Sequence, residues 1–513
     1  MPPELLRKIF NELDPVFVAT LQRVCHRWRL VIRHDFILQH EAACLRNGLR
    51  RGVPQLLDIG ERLKIVLHHE TAWATLPKYS RNEAFPHAQG SPDEVTVKAS
   101  ENVIVEMTKG GFQFSYFISG RLRDRGTKSP SSLKHEWEHG SMDIDSSQDL
   151  FAWVEYDDGS PHNHGRLVMK VFFKDFRRGC NHGQAFTGKY FAYTMPRDST
   201  VIFSKLVIAG DFIAVGSMTE DERRVDRSRS PLIVFNWKTG SIILNLYDTW
   251  LFDFCFLDEQ HLLFYARGFR DDTNVSNQDV LLVYNLKTHG PQFTSIKAAT
   301  YVCGFSMPAT TMRGTNYPSL RTSVPLPSLL ANSLVNIHIS NGNYGLRGMT
   351  VIGYIDILFH ASSMRRWVAA CARGQPRIFN WKEWGTVFTQ TTSTVSRDKH
   401  VDCNFLTGMR AVDLRTDRNQ QLWLYIRDFD RSRVALAKAQ GGSNVQESTT
   451  VEAKSWSRER ITTRLPCLVR EIRLAKVPGL EDMDTRYTHC TVTEDGVIIY
   501  DLRRRCPIRV MYL

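Results

Sequence analysis

The sequence predicts two unlike parts: a small α-helical domain with a helical connector, followed by a long all-β region of about seven repeated sheets. Three observations carry this expectation. From Leu5 to Trp73 the apolar side chains recur at helical spacing. Beyond about residue 92, short apolar runs broken by turns replace that spacing. Within the second part, an apolar run closed by an aromatic and then Asn or Asp returns four times.

At 513 residues the chain exceeds one ordinary core, so two or more domains are expected. Hydrophobic content of 42% and charged content of 23% are those of a soluble globular protein. No apolar run is long enough to cross a bilayer, and the N-terminus lacks the h-region of a secretory signal. The ten cysteines are scattered singly with no C-x-x-C pair, which reads as reduced thiols in cytosol or nucleus. A net charge of +12 raises the question of nucleic acid. The cations are spread along the chain and mixed with acids, apart from Arg503, Arg504, Arg505 and Arg509, so an acidic protein partner or a merely basic surface fits better.

The first element starts at Pro2-Pro3, where proline is tolerated, with Glu4 at the positive end of the helix dipole. Leu5, Leu6, Ile9, Phe10 and Leu13 then fill one arc of about 140°. Asp14-Pro15 breaks the helix, with Asp14 placed to cap the next one and Pro15 at its first position. Val16, Phe17, Val18, Leu21, Val24, Cys25 and Trp28 continue the apolar pattern, followed by Val31, Ile32, Phe36, Ile37 and Leu38. Three or four helices in about 45 residues lie near the lower limit of independent stability. Their apolar inventory exceeds what so small a bundle hides, so a partner surface is expected. A plain bundle packed on the rest of the chain would show the same spacing.

The run MPPELLRKIFNELDPVFVATLQRVCHRWRLVI resembles an F-box. That motif opens on Leu-Pro, one variable residue and Glu-Leu-Leu, passes a Leu-Asp-Pro turn and closes on Val-Cys-x-x-Trp. Pro2, Glu4, Leu5, Leu6, Ile9, Leu13, Asp14, Pro15, Val24, Cys25, Arg27 and Trp28 match it. Met1 stands where the family usually has Leu, which suggests a true start slightly upstream. The resemblance implies docking on the Skp adaptor and, through it, a cullin ligase core. It implies that Pro2, Leu5, Leu6, Ile9, Phe10, Leu13, Pro15 and Leu21 contact that adaptor, with Val24, Cys25 and Trp28 partly internal and partly at the interface.

Residues 1–45 are thus expected to form the helical domain and 46–91 a connector. Asp35 to Arg51 reads as one helix, and Leu56, Ile59, Leu63, Val66, Leu67 and Trp73 place another over 55–76. A stiff helix would hold the first domain in one orientation.

Residues 92–513 carry LIVFNWKTG, LLVYNLKTHG, PRIFNWKEWG and VIIYDLRRR, whose aromatics are Phe235, Tyr284, Phe379 and Tyr500. The first step is 49 residues, and the later ones are close to two and between two and three such steps. This period, with a strand ending in aromatic-Asn or aromatic-Asp, signals a β-propeller and resembles degenerate WD repeats. LVIAGDFIAVGS, FDFCFLDEQHLLFYA and WVAACA read as the preceding strands. Weaker candidates are NVIVEMTKGGFQFSYF, LFAWVEY with LVMKVFF, YVCGFSMP with LVNIHIS, and LWLYIRDFD. Polar stretches at 124–148, 220–230, 308–333 and 438–460 read as insertions between strands.

No P-loop, G-x-S-x-G or H-E-x-x-H is present. His162-x-His164 with Cys180-x-His182 is too tightly spaced for a usual structural zinc, so these read as turn residues and neither metal nor cofactor is expected. The expected function is recruitment of a target protein to a ubiquitin ligase, with transfer chemistry on other subunits. The alternative is a propeller scaffold binding RNA or another protein complex without ligase activity. A hydrolase built on the propeller is the third reading, and it predicts carboxylates or histidines clustered at the central channel.

Overall fold

The computed structural model describes residues 2–11, 13, 18, 21–22, 24–47, 58–75, 80–82, 96–124 and 141–512, the last two spans with breaks. Short N-terminal helices precede an all-β region of several sheets.

Helix α1 (Pro3–Asn11) opens with Pro2 offering its carbonyl to the Leu6 amide at 3.2 Å, so Pro3 takes the first helical position as expected. Helix α2 (His26–His34) is capped by the Cys25 Sγ, which accepts from the Trp28 amide at 3.5 Å. Asp35 ends α2 and starts α3 (Phe36–Asn47), its Oδ1 accepting from the Ile37 and Leu38 amides at 3.0 and 3.2 Å. Helix α4 (Ile59–Thr75) occupies the connector. The Asp14-Pro15 break lies outside the described residues.

The described β residues form seven sheets of four or five strands and one two-stranded sheet. The first holds Thr96–Ser100, Val103–Thr108, Gly111–Ile118 and Arg121–Asp124. The second starts at Met142–Asp145, the third at Thr200–Ala209, the fourth at Leu251–Phe256 and the fifth at Thr315–Thr322. The sixth starts at Asn404–Thr407. The seventh takes Thr488–Thr493, Gly496–Asp501 and Arg509–Tyr512, and its edge is Ser80–Asn82, paired antiparallel with Arg509–Tyr512. Neighbouring sheets touch strand to strand: Thr96–Ser100 lies against Met142–Asp145, that against Thr200–Ala209, then Leu251–Phe256, then Thr315–Thr322. Leu334–Gly345 of the fifth sheet lies against Asn404–Thr407, that strand against Thr488–Thr493, and the latter against Thr96–Ser100.

The apolar core sits between sheets. Val105 and Phe114 of the first sheet meet Phe151 and Trp153 of the second. Val171 and Phe173 meet Ile213 and Phe235 of the third. Leu244 and Leu246 meet Phe254 and Phe264 of the fourth. These sheets thus bury apolar faces against one another.

The repeated pattern has two outcomes. In the third sheet Phe235 is buried, and Asn236 turns the chain by accepting from the Lys238 and Thr239 amides at 2.9 and 3.0 Å. Gly240 completes that turn at φ 74°, a left-handed conformation suited to glycine. Trp237 follows, buried, with Nε1 donating to the Gly210 carbonyl at 3.0 Å. Tyr284-Asn285 repeats the arrangement, Asn285 Oδ1 accepting from the Lys287 amide at 2.9 Å.

Phe379-Asn380 does not. Arg377–Phe379 is a three-residue strand added in parallel to the edge of the fourth sheet. Asn380 caps a helix, its Oδ1 accepting from the Glu383 amide at 3.1 Å while Glu383 Oε2 accepts from the Asn380 amide at 2.8 Å. In WVAACA, expected as a strand, Trp367 to Cys371 lie in helix α5 (Ala361–Cys371), and α6 (Trp381–Phe388) follows the cap. Met364, Trp367, Val368 and Cys371 recur at helical spacing and pack on the core shared by the fourth and fifth sheets, which overrides the β reading of that short run.

Four further expectations are corrected. YVCGFSMP and LVNIHIS belong to different sheets, the fourth and fifth. The stretch 308–333 supplies strand Thr315–Thr322, and 124–148 ends in strand Met142–Asp145. The stretch 438–460 holds the end of α7 (Arg431–Ala439) and strands Val445–Gln446 and Thr449–Val451.

Candidate functional site

The N-terminal helices divide the expected contact residues between two faces. Leu6, Phe10 and Leu21 are buried with Val18, Val31, Ile32 and Leu38 in a cluster of their own. Leu13 and Trp28 close its edge half-buried, with the Trp28 ring meeting Phe10 edge-on at a 5.6 Å centroid distance. Pro2, Leu5, Ile9, Val24 and Cys25 are exposed. Pro15 lies outside the described residues.

The helical period explains the split. Leu6 and Phe10, four apart, share the inner face of α1, while Leu5 and Ile9, also four apart, share an outer one. Leu5 is 49% exposed, Ile9 45% and Val24 61%. Leu30, Phe36 and Ile37 add further exposed apolar surface on α2 and α3. The bundle therefore closes a core and still presents large apolar side chains to solvent. Arg7 fixes α1 to the α2–α3 corner through Asp35, Nε to Oδ2 at 3.2 Å. Arg27, Arg29 and Arg33 make the exposed side of α2 basic.

Sequence reasoning did not find the attachment of α4 to the β region. Trp73 is buried in the core shared by the sixth and seventh sheets, among Val412, Leu424, Leu474 and Ile499. The Arg410 guanidinium lies over its ring at 4.8 Å, and Arg470 Nη1 donates to its carbonyl at 3.3 Å. Glu70 meets Arg433 Nη1 at 3.5 Å, and Arg433 Nε meets Asp428 at 2.7 Å. Arg410 reaches the same Asp428 at 3.5 Å. Burial lowers the Arg410 guanidinium to about 10, opposed by Asp428, and it stays charged at neutral pH. Only Trp73 signalled this junction, as a large aromatic at the end of a helical pattern.

Of the two histidine-bearing pairs, Cys180 and His182 lie among the described residues. His162 and His164 lie outside the described residues, and Cys180 is exposed. His182 is satisfied by backbone groups from two segments, with Nε2 2.8 Å from the Gln148 carbonyl and Nδ1 accepting from the Gln184 amide at 3.2 Å.

Residues 1–41 match the F-box-like family, about a tenth of the chain, so an F-box-like domain stands at the N-terminus of a β-rich chain. No curated protein matches the sequence. Among solved structures, extracellular domains 1–2 of Drosophila Semaphorin 1b align at 7% identity and a TM-score of 0.35, covering 85% of this chain and 88% of that one. A Bombyx mori GH32 β-fructofuranosidase aligns at 10% identity and a TM-score of 0.27, covering 88% and 94%. A Phanerochaete chrysosporium exo-β-1,3-galactanase aligns at 7% identity and a TM-score of 0.26, covering 78% and 93%. Likenesses this weak carry no argument about function.

Proposed function

We propose that this chain is the substrate-recruiting subunit of a Skp–cullin–F-box ubiquitin ligase. On this reading, residues 1–45 dock on the Skp adaptor, 46–91 connect, and 92–513 hold a target protein. The observation that carries the proposal is the F-box-like match over 1–41 coinciding with exposed Leu5, Ile9 and Val24. The basic surface of α2 fits an acidic partner. We further infer that the seven sheets are propeller blades, supported by the succession of strand contacts from sheet to sheet and by the apolar cores between them. Such a subunit acts by holding its target near the charged ubiquitin carrier, so the chain needs no chemistry of its own. It works in the cytosol or nucleus.

Docking buries the half of Leu5 and Ile9 that is still exposed, each contributing about 1 kcal/mol. Leu5→Asp and Ile9→Asp are therefore expected to abolish co-purification of the Skp adaptor while leaving the melting temperature unchanged. Leu6→Asp is no test of docking, because it places a charge inside the bundle. Undiminished capture of the adaptor by the Leu5→Asp, Ile9→Asp double variant overturns the proposal and favours the scaffold reading.

A further inference from the structure

A second cluster of polar side chains lies where the fifth and sixth sheets meet. It gathers residues at the starts of α5 and α7, the helices that follow Gly348–His360 and Leu422–Asp428 in the chain. Ser363, in the first turn of α5, is buried. Arg366 Nη2 lies 3.5 Å and Arg431 Nη2 3.4 Å from its Oγ. Both contacts are long, so the guanidiniums are gathered around the hydroxyl without being consumed by it. With Oγ accepting from both, the hydroxyl proton remains free to donate.

Two like charges brought together favour an anion between them. Among the described residues, neither Arg366 nor Arg431 has an ion pair. The carboxylates of the neighbourhood are engaged elsewhere: Asp428 with Arg433 and Arg410, Glu70 with Arg433, while Asp430 caps α7 through the Arg433 amide at 2.8 Å. His360, immediately before α5, supplies an independent sign of a missing partner. It is 1% exposed, and neither ring nitrogen has a hydrogen-bond partner. Burial, then the charges of Arg431 and Arg366, drop it to about 3, so the ring lies in the field of both guanidiniums and stays neutral with one N–H to donate. The positive end of the eleven-residue α5 adds to the same field.

We propose that Arg366, Arg431, Ser363 and His360 form a binding site for a phosphate group. The guanidiniums supply paired N–H donors in the planar arrangement that suits phosphate oxygens, and Ser363 and His360 supply two neutral donors. Arg366 and Arg431 are both exposed, so a phosphate reaches them from solvent. Free phosphate and a phosphorylated side chain share this chemistry.

The test uses the full chain at low ionic strength, with binding of inorganic phosphate followed by titration calorimetry. Saturable binding is expected, weakened about tenfold or more by Arg366→Gln or Arg431→Gln and lost in the double variant. Arg366→Lys keeps the charge without the fork, so it restores binding in part. Lys382→Gln, an exposed cation on α6, leaves binding unchanged. These side chains have no structural ion pair, so the variants keep the wild-type melting temperature. N-acetyl-O-phosphoserine amide separates the two sources: tighter binding than inorganic phosphate, lost in the same double variant, assigns a side-chain phosphate, and equal binding assigns the free anion. Absence of saturable binding to the wild type, or equal binding to the double variant, overturns the proposal.

Discussion

Asn236 and Asn380 follow the same aromatic and precede the same Trp-Lys, yet one bends a hairpin and the other starts a helix. The residues three and four further on decide. Thr239-Gly240 lets the chain turn left-handed, whereas Glu383 closes a capping box on Asn380. That signal was legible in PRIFNWKEWG, because Glu three positions after Asn is a helix start. His360 was not legible, since only the fold buries it between arginines. Its consequence is a pH dependence. The unfolded ring has a pKa of about 6.5, whereas in the folded chain burial and the two arginines hold it at about 3. Between these values the unfolded state binds more protons, so His360 removes stability as pH falls below the unfolded value. Urea denaturation at about pH 7 and about pH 5 is expected to show a larger loss for the wild type than for His360→Gln. Equal losses contradict this role.

At the scale of elements, α1 to α4 were readable because their apolar positions keep one period over several turns. One correction has a local cause: runs shorter than two turns carry too few positions to separate a buried strand from a buried helix. WVAACA is one such run, and its neighbours on the fourth and fifth sheets decide for helix. The attachment of α4 is also an element-scale matter. Trp73, Glu70, Arg433, Arg410 and Asp428 form one linked contact between helix and sheets. Trp73→Ala is expected to cost about 3–5 kcal/mol and Arg433→Ala about 3–5 kcal/mol, the latter by leaving a buried carboxylate short of its partner. Thermal unfolding measures the loss, and hydrogen exchange in α4 reports whether the helix detaches. Unchanged protection of α4 in Trp73→Ala would show that the helix is held elsewhere.

For the whole molecule, the pairing of Ser80–Asn82 with Arg509–Tyr512 joins the segment after α4 to the last strand of the chain. Closing so long a loop costs entropy only slowly with length, so a few strand pairings and their buried faces suffice to hold it. A chain ended after Arg505 loses that strand and leaves the edges of Ser80–Asn82 and Gly496–Asp501 unpaired. A lower melting temperature and self-association in light scattering are expected. A monomeric chain with the wild-type melting temperature would mean that this pairing contributes nothing to stability.

The sequence by itself determined the helical start, the switch to β structure, the Asn-centred turns and the apolar inventory of the N-terminal helices, because all of these depend on contacts within a few residues. Which of those apolar residues stay outside was decided only in the tertiary structure, where packing turns Leu6 and Phe10 inward and leaves Leu5 and Ile9 to solvent. The order of sheets, the seat of Trp73 and the meeting of Arg366 with Arg431 arise there too. Each joins residues far apart in the chain, and no local period records such a meeting.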